Sequence, residues 1–448
     1  MNSSATRICP SILGQSGSMT EDAIAPQRKQ NSGPASPKFQ RRALLQLAGC
    51  AALGLPAVSH GQSDTIKVGL TSLMSGRFAL IGSSTVGAVK MLFDRVNAAG
   101  GINGRKLQLI VRDSRALPEE AVKNVRSLVG TEGCSIIMAG ETSAGAAAVN
   151  EAMRGTNVLC LHLLAEYSAL TADPANRSPF VFRTSRQGIH DAIGAALSYS
   201  AIAKERGIKR WATVAPDYSF GRDLTEDFVG HFKEFGGEMN LVSQSWPKLG
   251  QADFTEVVSK VLASNCEAIY SVSFGGDLLS LIEQGHLYGL FNNKTCFFPL
   301  LSDYGVIDVV KQMPKLAYTG SRYNHTFPAT PENKRWYDEF LKLNGIKPTN
   351  WSWEAGLGAQ LVVNALTATK GEPVVDKMAQ AIRGSTVEVP FGLNGKVTMR
   401  ESDNTAIRYP LAFGLAQPAE PYIKDFVPVD WDRILAAEAV WKKRRNFT

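Results

Sequence analysis

The sequence is short of the features that mark an enzyme, a membrane protein or a nucleic-acid binder. Its 448 residues contain no GxGxxG, Walker loop, HExxH or GxSxG, so no phosphate cradle, zinc helix or nucleophile elbow is signalled. Ser245 to Lys248 fits SxxK formally, but Pro247 breaks the helical turn that motif needs. Six histidines (His60, His162, His190, His231, His286, His325) are scattered and accompany no nucleophile pattern; His162, on an apolar strand, reads as a core histidine. There is no CxxC and no Cys/His spacing suited to zinc. No metal, cofactor or catalytic constellation is expected. The formal charge of +7 is also less than it looks: six of 48 Lys/Arg and two of 41 Asp/Glu precede position 62. The remaining 42 basic and 39 acidic residues leave +3, which gives no electrostatic case for nucleic acid. The basic end, WKKRRNFT, is expected to be a solvated terminus.

Only one long apolar run exists, Ala43 to Val58, and it is short for a membrane span. Residues 1–39 are polar and aperiodic and read as a disordered extension. Residues 40–61 read as an export signal: Arg41-Arg42 followed by Leu44-Leu45 resembles the twin-arginine type, with Ser59-His60-Gly61 as a cleavage site. Leu47-Ala48-Gly49-Cys50 is a rival, a lipobox that would lipidate Cys50. Export predicts a periplasmic or surface location and a soluble mature protein. That compartment permits disulfides, yet Cys134, Cys160, Cys266 and Cys296 all lie at apolar strand patterns and are expected to be buried free thiols.

From Thr65 onward, strand and helix patterns alternate. IKVGLTSL is a strand. The helix pattern that follows ends at Gly100-Gly101, where glycine adopts a left-handed cap cheaply. LQLIVRDS is the next strand, PEEAVKNVRSLV a helix opened by Pro118 with Val122, Val125, Leu128 and Val129 on one face, and CSIIMAG a third strand. The same order returns in HFKEFGGEMNLVSQSW and its continuation, where Phe254, Val257, Val258, Val261 and Leu262 share a helix face. Gly101 to Cys134 spans 33 residues and Gly237 to Cys266 spans 29. The predicted fold class is α/β with parallel-type sheets and two lobes of similar build. The glycines are structural and need no phosphate to explain them.

The segments IKVGLTSLMSG, VNAAGGINGRKLQLIVRDS, RSPFVFRTS, APDYSFGRDL and FPLLSDYGV follow one another in the order seen in the type I periplasmic solute-binding proteins. Over residues 65 to 430 the chain resembles the leucine/isoleucine/valine-binding proteins of ABC transporters. That resemblance implies two Rossmann-like lobes joined by three hinge crossings, near Arg183 to Arg186, Tyr318 to Gly320 and Lys396 to Arg400. Lobe one would be 65–185 plus 320–397, and lobe two 186–319 plus 398–448. It also implies a monomer that closes over a small-molecule ligand, an amino acid or related carboxylate or amide, and presents it to a membrane permease. A sensory module with the same fold, and an exported α/β enzyme, remain alternatives.

The resemblance places ligand-binding residues one by one. Ser143, with Thr142 before it, would hold a carboxylate at a helix N-terminus, or either would simply cap the helix. Leu164 and Glu166 stand where the family has a small residue and a threonine; Glu166 cannot donate to a carboxylate, but it could pair with a cation or be a solvated loop acid. Phe220, with Tyr218, and Phe274 take the aromatic positions of the second lobe, Asp303 that of the acid receiving an ammonium, and Ile81 that of a tyrosine. Phe220, Phe274 and Ile81 replace tyrosines of the relatives, which puts branched-chain specificity in question.

Overall fold

The computed structural model describes residues 65–448. The extension and the export signal lie outside the described residues. The chain first lays down β1 (Ile66–Ser72), α1 (Ala79–Ala98), β2 (Leu107–Asp113), α2 (Pro118–Gly130), β3 (Ile136–Gly140), α3 (Ser143–Met153), β4 (Leu159–His162), α4 (Ala169–Ala172) and β5 (Val181–Arg183). It continues with α5 (Gly188–Glu205), β6 (Arg210–Val214), α6 (Ser219–Glu234), β7 (Asn240–Ser245), α7 (Thr255–Ala263), β8 (Ala268–Ser271), α8 (Gly275–Leu287), β9 (Thr295–Phe297), α9 (Tyr304–Ile307) and β10 (Ala317–Gly320). A third passage holds α10 (Pro331–Asn344), α11 (Asn350–Ala368), α12 (Val375–Ile382), β11 (Thr386–Leu393), β12 (Lys396–Arg400) and β13 (Thr405–Ile407). The last holds β14 (Ala412–Ala416), β15 (Ile423–Pro428) and α13 (Trp431–Arg444).

These strands form two sheets. The first runs β11-β12-β13-β5-β4-β3-β1-β2 and the second β15-β14-β10-β9-β8-β6-β7. Five consecutive strands in each, β5-β4-β3-β1-β2 and β10-β9-β8-β6-β7, are parallel and in the same order. The repeated pattern in the sequence is therefore a repeated topology. β1 is buried at all but one position, as a central parallel strand covered on both faces should be.

The glycine pairs do what the spacing asked of them. Gly100 and Gly101 have φ of 105° and 81°, and a Cβ on Gly101 would sit 2.1 Å from the Arg105 carbonyl oxygen. Gly236 has φ of 82°. Four cysteines, Cys134, Cys160, Cys266 and Cys296, are buried free thiols. No helix among the described residues is long and apolar enough to cross a membrane.

The chain passes between the sheets three times, at residues 184–187, from 321 onward, and at 408–411. The third passage differs from the expected Lys396 to Arg400. β12 and β13 both belong to the first sheet, because Thr405 of β13 pairs with Arg183 of β5 and extends that sheet before the chain leaves it. The C-terminal segment differs too. Instead of a solvated tail, α13 carries Trp441 into a buried position, where its indole N–H donates to Asp227 at 2.8 Å, and Lys442 pairs with Asp403 at 2.8 Å.

Candidate functional site

In both sheets the C-terminal ends of the parallel strands bring the site together, the place where open α/β sheets bind ligands. From the first sheet come Leu73 after β1, Thr142 and Ser143 after β3, and Leu164 and Glu166 after β4. From the second come Tyr218 and Phe220 after β6, Phe274 after β8 and Leu300 after β9, while Trp351 enters from the first turn of α11. Together these ten residues line a narrow cavity of about 20 Å³, room for roughly one water. A solute of several heavy atoms enters only if the two sets of walls part.

Four of the ten wall residues are aromatic and three are leucines. Phe274 meets Phe220 edge-on at 5.7 Å between ring centroids and Trp351 at 6.2 Å, and Tyr218 lies 5.9 Å from Phe220. Behind Phe274, Phe78 from the turn after β1 stacks at 5.4 Å. Polar donors gather at the start of α3. Thr142 is its N-cap and accepts from the Gly145 N–H at 3.2 Å. Ser143, the first helical residue, accepts from the Tyr167 N–H at 3.2 Å, which leaves its own O–H to donate. The cap and the cavity wall are thus neighbours, and the two readings of this pair coexist.

Glu166 is neither solvated nor awaiting a ligand cation. It forms a buried ion pair with Arg322, which follows β10 at the second passage. Burial disfavours the charge on the Arg322 guanidinium, but the carboxylates of Glu166 and Asp191 outweigh it and hold its pKa above the usual range. Arg186, in the first passage, pairs with Asp191 and donates to the carbonyls of Ser321 and Pro410 in the other two, at 3.4 and 3.2 Å. Burial opposes the Asp191 charge as well, and Arg186 and Arg322 more than compensate, holding its carboxyl below the usual range. Glu354, accepting from the Arg186 N–H and the Asn350 amide, is pushed well up by burial and by the nearby Glu166. Burial pushes the Glu166 carboxyl up against the Arg322 charge that draws it down, so two arginines meet one firmly ionised carboxylate, Asp191, and a second, Glu166, whose charge depends on Arg322, where all three passages come together.

Asp303 and Ile81 are not among the residues lining the cavity. Asp303 caps α9 through the Gly305 N–H at 2.9 Å and accepts the Asn350 N–H, at the start of α11, at 2.7 Å. Ile81 is buried in α1, where it faces Gly275 at the start of α8. The sequence reading missed Leu73, Leu300, Trp351 and Arg322. Nothing in the local sequence marks Arg322, whose partner Glu166 lies 156 residues away.

Comparison with known proteins decides the family: the periplasmic binding protein family model matches residues 65–414. The chain belongs to the periplasmic binding protein family. A curated relative, Leu/Ile/Val-binding protein homolog 4 of Brucella abortus (strain 2308), is 27% identical over 386 residues, which is 81% of this chain and 86% of that protein. Among solved structures, a solute-binding protein of an ABC transporter from Rhodopseudomonas palustris BisB5, in complex with 3,4-dihydroxybenzoic acid, superposes with a TM-score of 0.72 at 22% identity. It covers 82% of this chain and 98% of that one. A leucine-, isoleucine-, valine-, threonine- and alanine-binding protein from Brucella ovis, in its closed conformation, gives a TM-score of 0.67 at 24% identity over 82% and 95%. The shared fold and the family agree, and the family places this periplasmic binding protein in the periplasm.

Proposed function

We propose that this periplasmic binding protein is the exported substrate-binding component of an ABC importer, and that its solute is a small carboxylate with a flat or apolar body. The binding residues are Thr142, Ser143, Leu164, Tyr218, Phe220, Phe274 and Trp351. One observation supports the choice of solute: the acids available to an ammonium are already engaged. Glu166, the one acid of the cavity wall, is paired with Arg322, and Asp303 is occupied by two backbone N–H groups. Two hydroxyls and the N-terminus of α3 face the cavity instead, a setting that favours an anion. Four aromatic rings supply the rest of the contact.

Capture works by binding and closure. The two sheets approach around the solute, and the three passages act as the hinge. No catalytic step is assigned. The protein acts as a monomer that delivers its solute to a membrane permease, after export through the segment 40–61 and cleavage near Gly61; lipidation at Cys50 is the rival processing. A second reading, an amino acid, is favoured by the Leu/Ile/Val-binding relative.

A thermal-unfolding screen of protein refolded free of carried-over solute tests both readings. At about 100 times its dissociation constant a solute adds roughly 2.7 kcal/mol, a clear rise in Tm. Benzoate and hydroxybenzoates are expected to give that rise, and leucine, isoleucine and valine none. A rise with leucine alone reverses the assignment of the solute, and no rise with any carboxylate or amino acid counts against small-solute capture at this cavity.

A further inference from the structure

We propose that Arg77 and Lys347 are closing residues: neither lines the cavity, yet each ties the first sheet's half of the protein to the second's, and together they set how long a captured solute is held.

Arg77 sits on the turn Gly76–Phe78 that follows β1. Its guanidinium crosses to the start of α8, donating to the Gly276 carbonyl at 2.7 Å, to Ser280 Oγ at 2.9 Å and to Asp277 Oδ1 at 3.2 Å. Asp277 is buried, and its other oxygen accepts the Gly250 N–H at 2.8 Å. The next residue on the turn, Phe78, stacks on Phe274 of the cavity wall. One short turn therefore places a charge and a ring on the second half together.

Lys347 lies between α10 and α11. Its ammonium contacts Asp308 Oδ1 and Glu420 Oε1, each at 2.6 Å, and lies over the rings of Tyr304 and Tyr422 at 5.3 and 5.2 Å. Asp308 follows α9 and Glu420 lies between β14 and β15, both on the second half. Tyr422 donates to the same Asp308 oxygen at 2.6 Å. The carboxylates hold the Lys347 amine above its usual range against a smaller effect of its own burial than theirs combined. Four residues on, Trp351 lines the cavity.

The contacts made by Arg77, Phe78 and Lys347 join the two halves and are lost when the halves part, whereas Asp277–Gly250 and Tyr422–Asp308 stay within the second half. A contact made only in the closed form shifts the equilibrium toward closure by its differential free energy, whatever the solute. It slows release more than it speeds capture. Side chains 34% and 22% exposed, for Arg77 and Lys347, remain within reach of salt. The closing bias should weaken as ionic strength rises. The proposal goes beyond the choice of solute and does not depend on it.

Small-angle X-ray scattering of the refolded, solute-free protein tests it. The variants are Arg77→Ala, Lys347→Ala, the two together, Lys347→Glu, and Lys123→Ala as a control, whose side chain is 74% exposed and pairs within its own helix. The radius of gyration of the wild type should grow as NaCl rises from about 20 mM to about 1 M. The double variant should start at the larger value and stay there, Lys347→Glu should open further than Lys347→Ala, and the control should follow the wild type. With benzoate as the probe, release from the double variant should be about tenfold faster at low salt, with association nearly unchanged. Equal radii and equal responses to salt in wild type and double variant would overturn the proposal. If benzoate does not bind, the scattering series still decides the closing role, and only the solute assignment fails.

Discussion

Glu166 of the cavity wall pairs with Arg322, 156 residues away in sequence, and the two side chains are 4% and 1% exposed. Neither charge can be solvated by bulk water, so each depends on the other. Removing one partner of such a pair typically costs about 3–5 kcal/mol, because the survivor is left charged and dry. Glu166→Ala should therefore lower the urea midpoint by that order. Arg322→Ala should cost at least as much, since it strips Glu166 and leaves Asp191 with Arg186 alone. Glu166→Leu with Arg322→Met should cost clearly less than the two single losses added. Additive losses in urea titrations would mean the two side chains do not act as a pair.

Glu141 presents a different electrostatic case. It is buried at the end of β3, one residue before the N-cap of α3, and accepts hydroxyl hydrogens from Thr71 and Ser114 at 2.7 Å each. No cation accompanies it among the causes of its shift; burial pushes its carboxyl up to about 7 from 4.5. The native state then holds a proton that the unfolded chain releases between those values. The stability linked to this group is full below pH 4.5 and is lost as pH rises through about 7. Glu141→Gln removes that dependence. Above pH 7 the variant should exceed the wild type by up to roughly 3 kcal/mol, an advantage that fades toward pH 4.5. Parallel stability curves for the two proteins over this range would show that Glu141 enters the fold ionised.

Much of the fold was legible because it rests on local chemistry. Pro118 and the acids after it open α2, and glycine pairs end α1 and α6, so the alternation of elements could be read in order. Side-chain facing was less legible. On α2 the inward positions are Ala121, Asn124, Val125 and Leu128, with Val122 and Val129 only half-buried, because the Asn124 amide turns inward to donate to Thr71 and the Asp113 carbonyl. Of the expected residues that follow strand ends in quoted motifs, Thr142, Ser143, Leu164, Glu166, Tyr218, Phe220 and Phe274 line the cavity. Trp351 and Arg322 were missed because their placement depends on how the chain returns to the first sheet after β10. Asp303 caps α9 and does not line the cavity; a carboxylate after a strand can serve a ligand or a helix start, and the sequence does not distinguish them.

The C-terminal helix supports a third prediction. Trp441 is buried, donates to Asp227 and meets Phe447 at 5.4 Å, while Lys442 joins Asp403 and Glu438. α13 thereby bridges α6 of the second half and the β12–β13 turn of the first. Trp441→Ala should cost about 3–5 kcal/mol, the usual loss for a large buried aromatic. Replacing exposed Lys443 should change the urea midpoint little. A midpoint unchanged by Trp441→Ala would mean that the end of the chain is solvated after all.

Cavity and cap residues should separate cleanly when binding and stability are both measured. Ser143 offers one hydroxyl hydrogen to the cavity, so Ser143→Ala should weaken carboxylate binding by roughly 1 kcal/mol, between five- and tenfold, with unfolding nearly unchanged. Trp351→Ala removes one aromatic wall and should weaken binding more. Asp303→Asn should do the opposite: it keeps the side chain's shape but loses the charge that two backbone N–H groups point at, and should cost about 1–2 kcal/mol of stability. Its effect on binding should be small, because Asp303 does not line the cavity. Calorimetric titration of the three variants with whichever carboxylate raises Tm provides the check. If Asp303→Asn abolishes binding and leaves unfolding untouched, the carboxylate serves the solute, and an ammonium-bearing ligand becomes the better reading of this cleft.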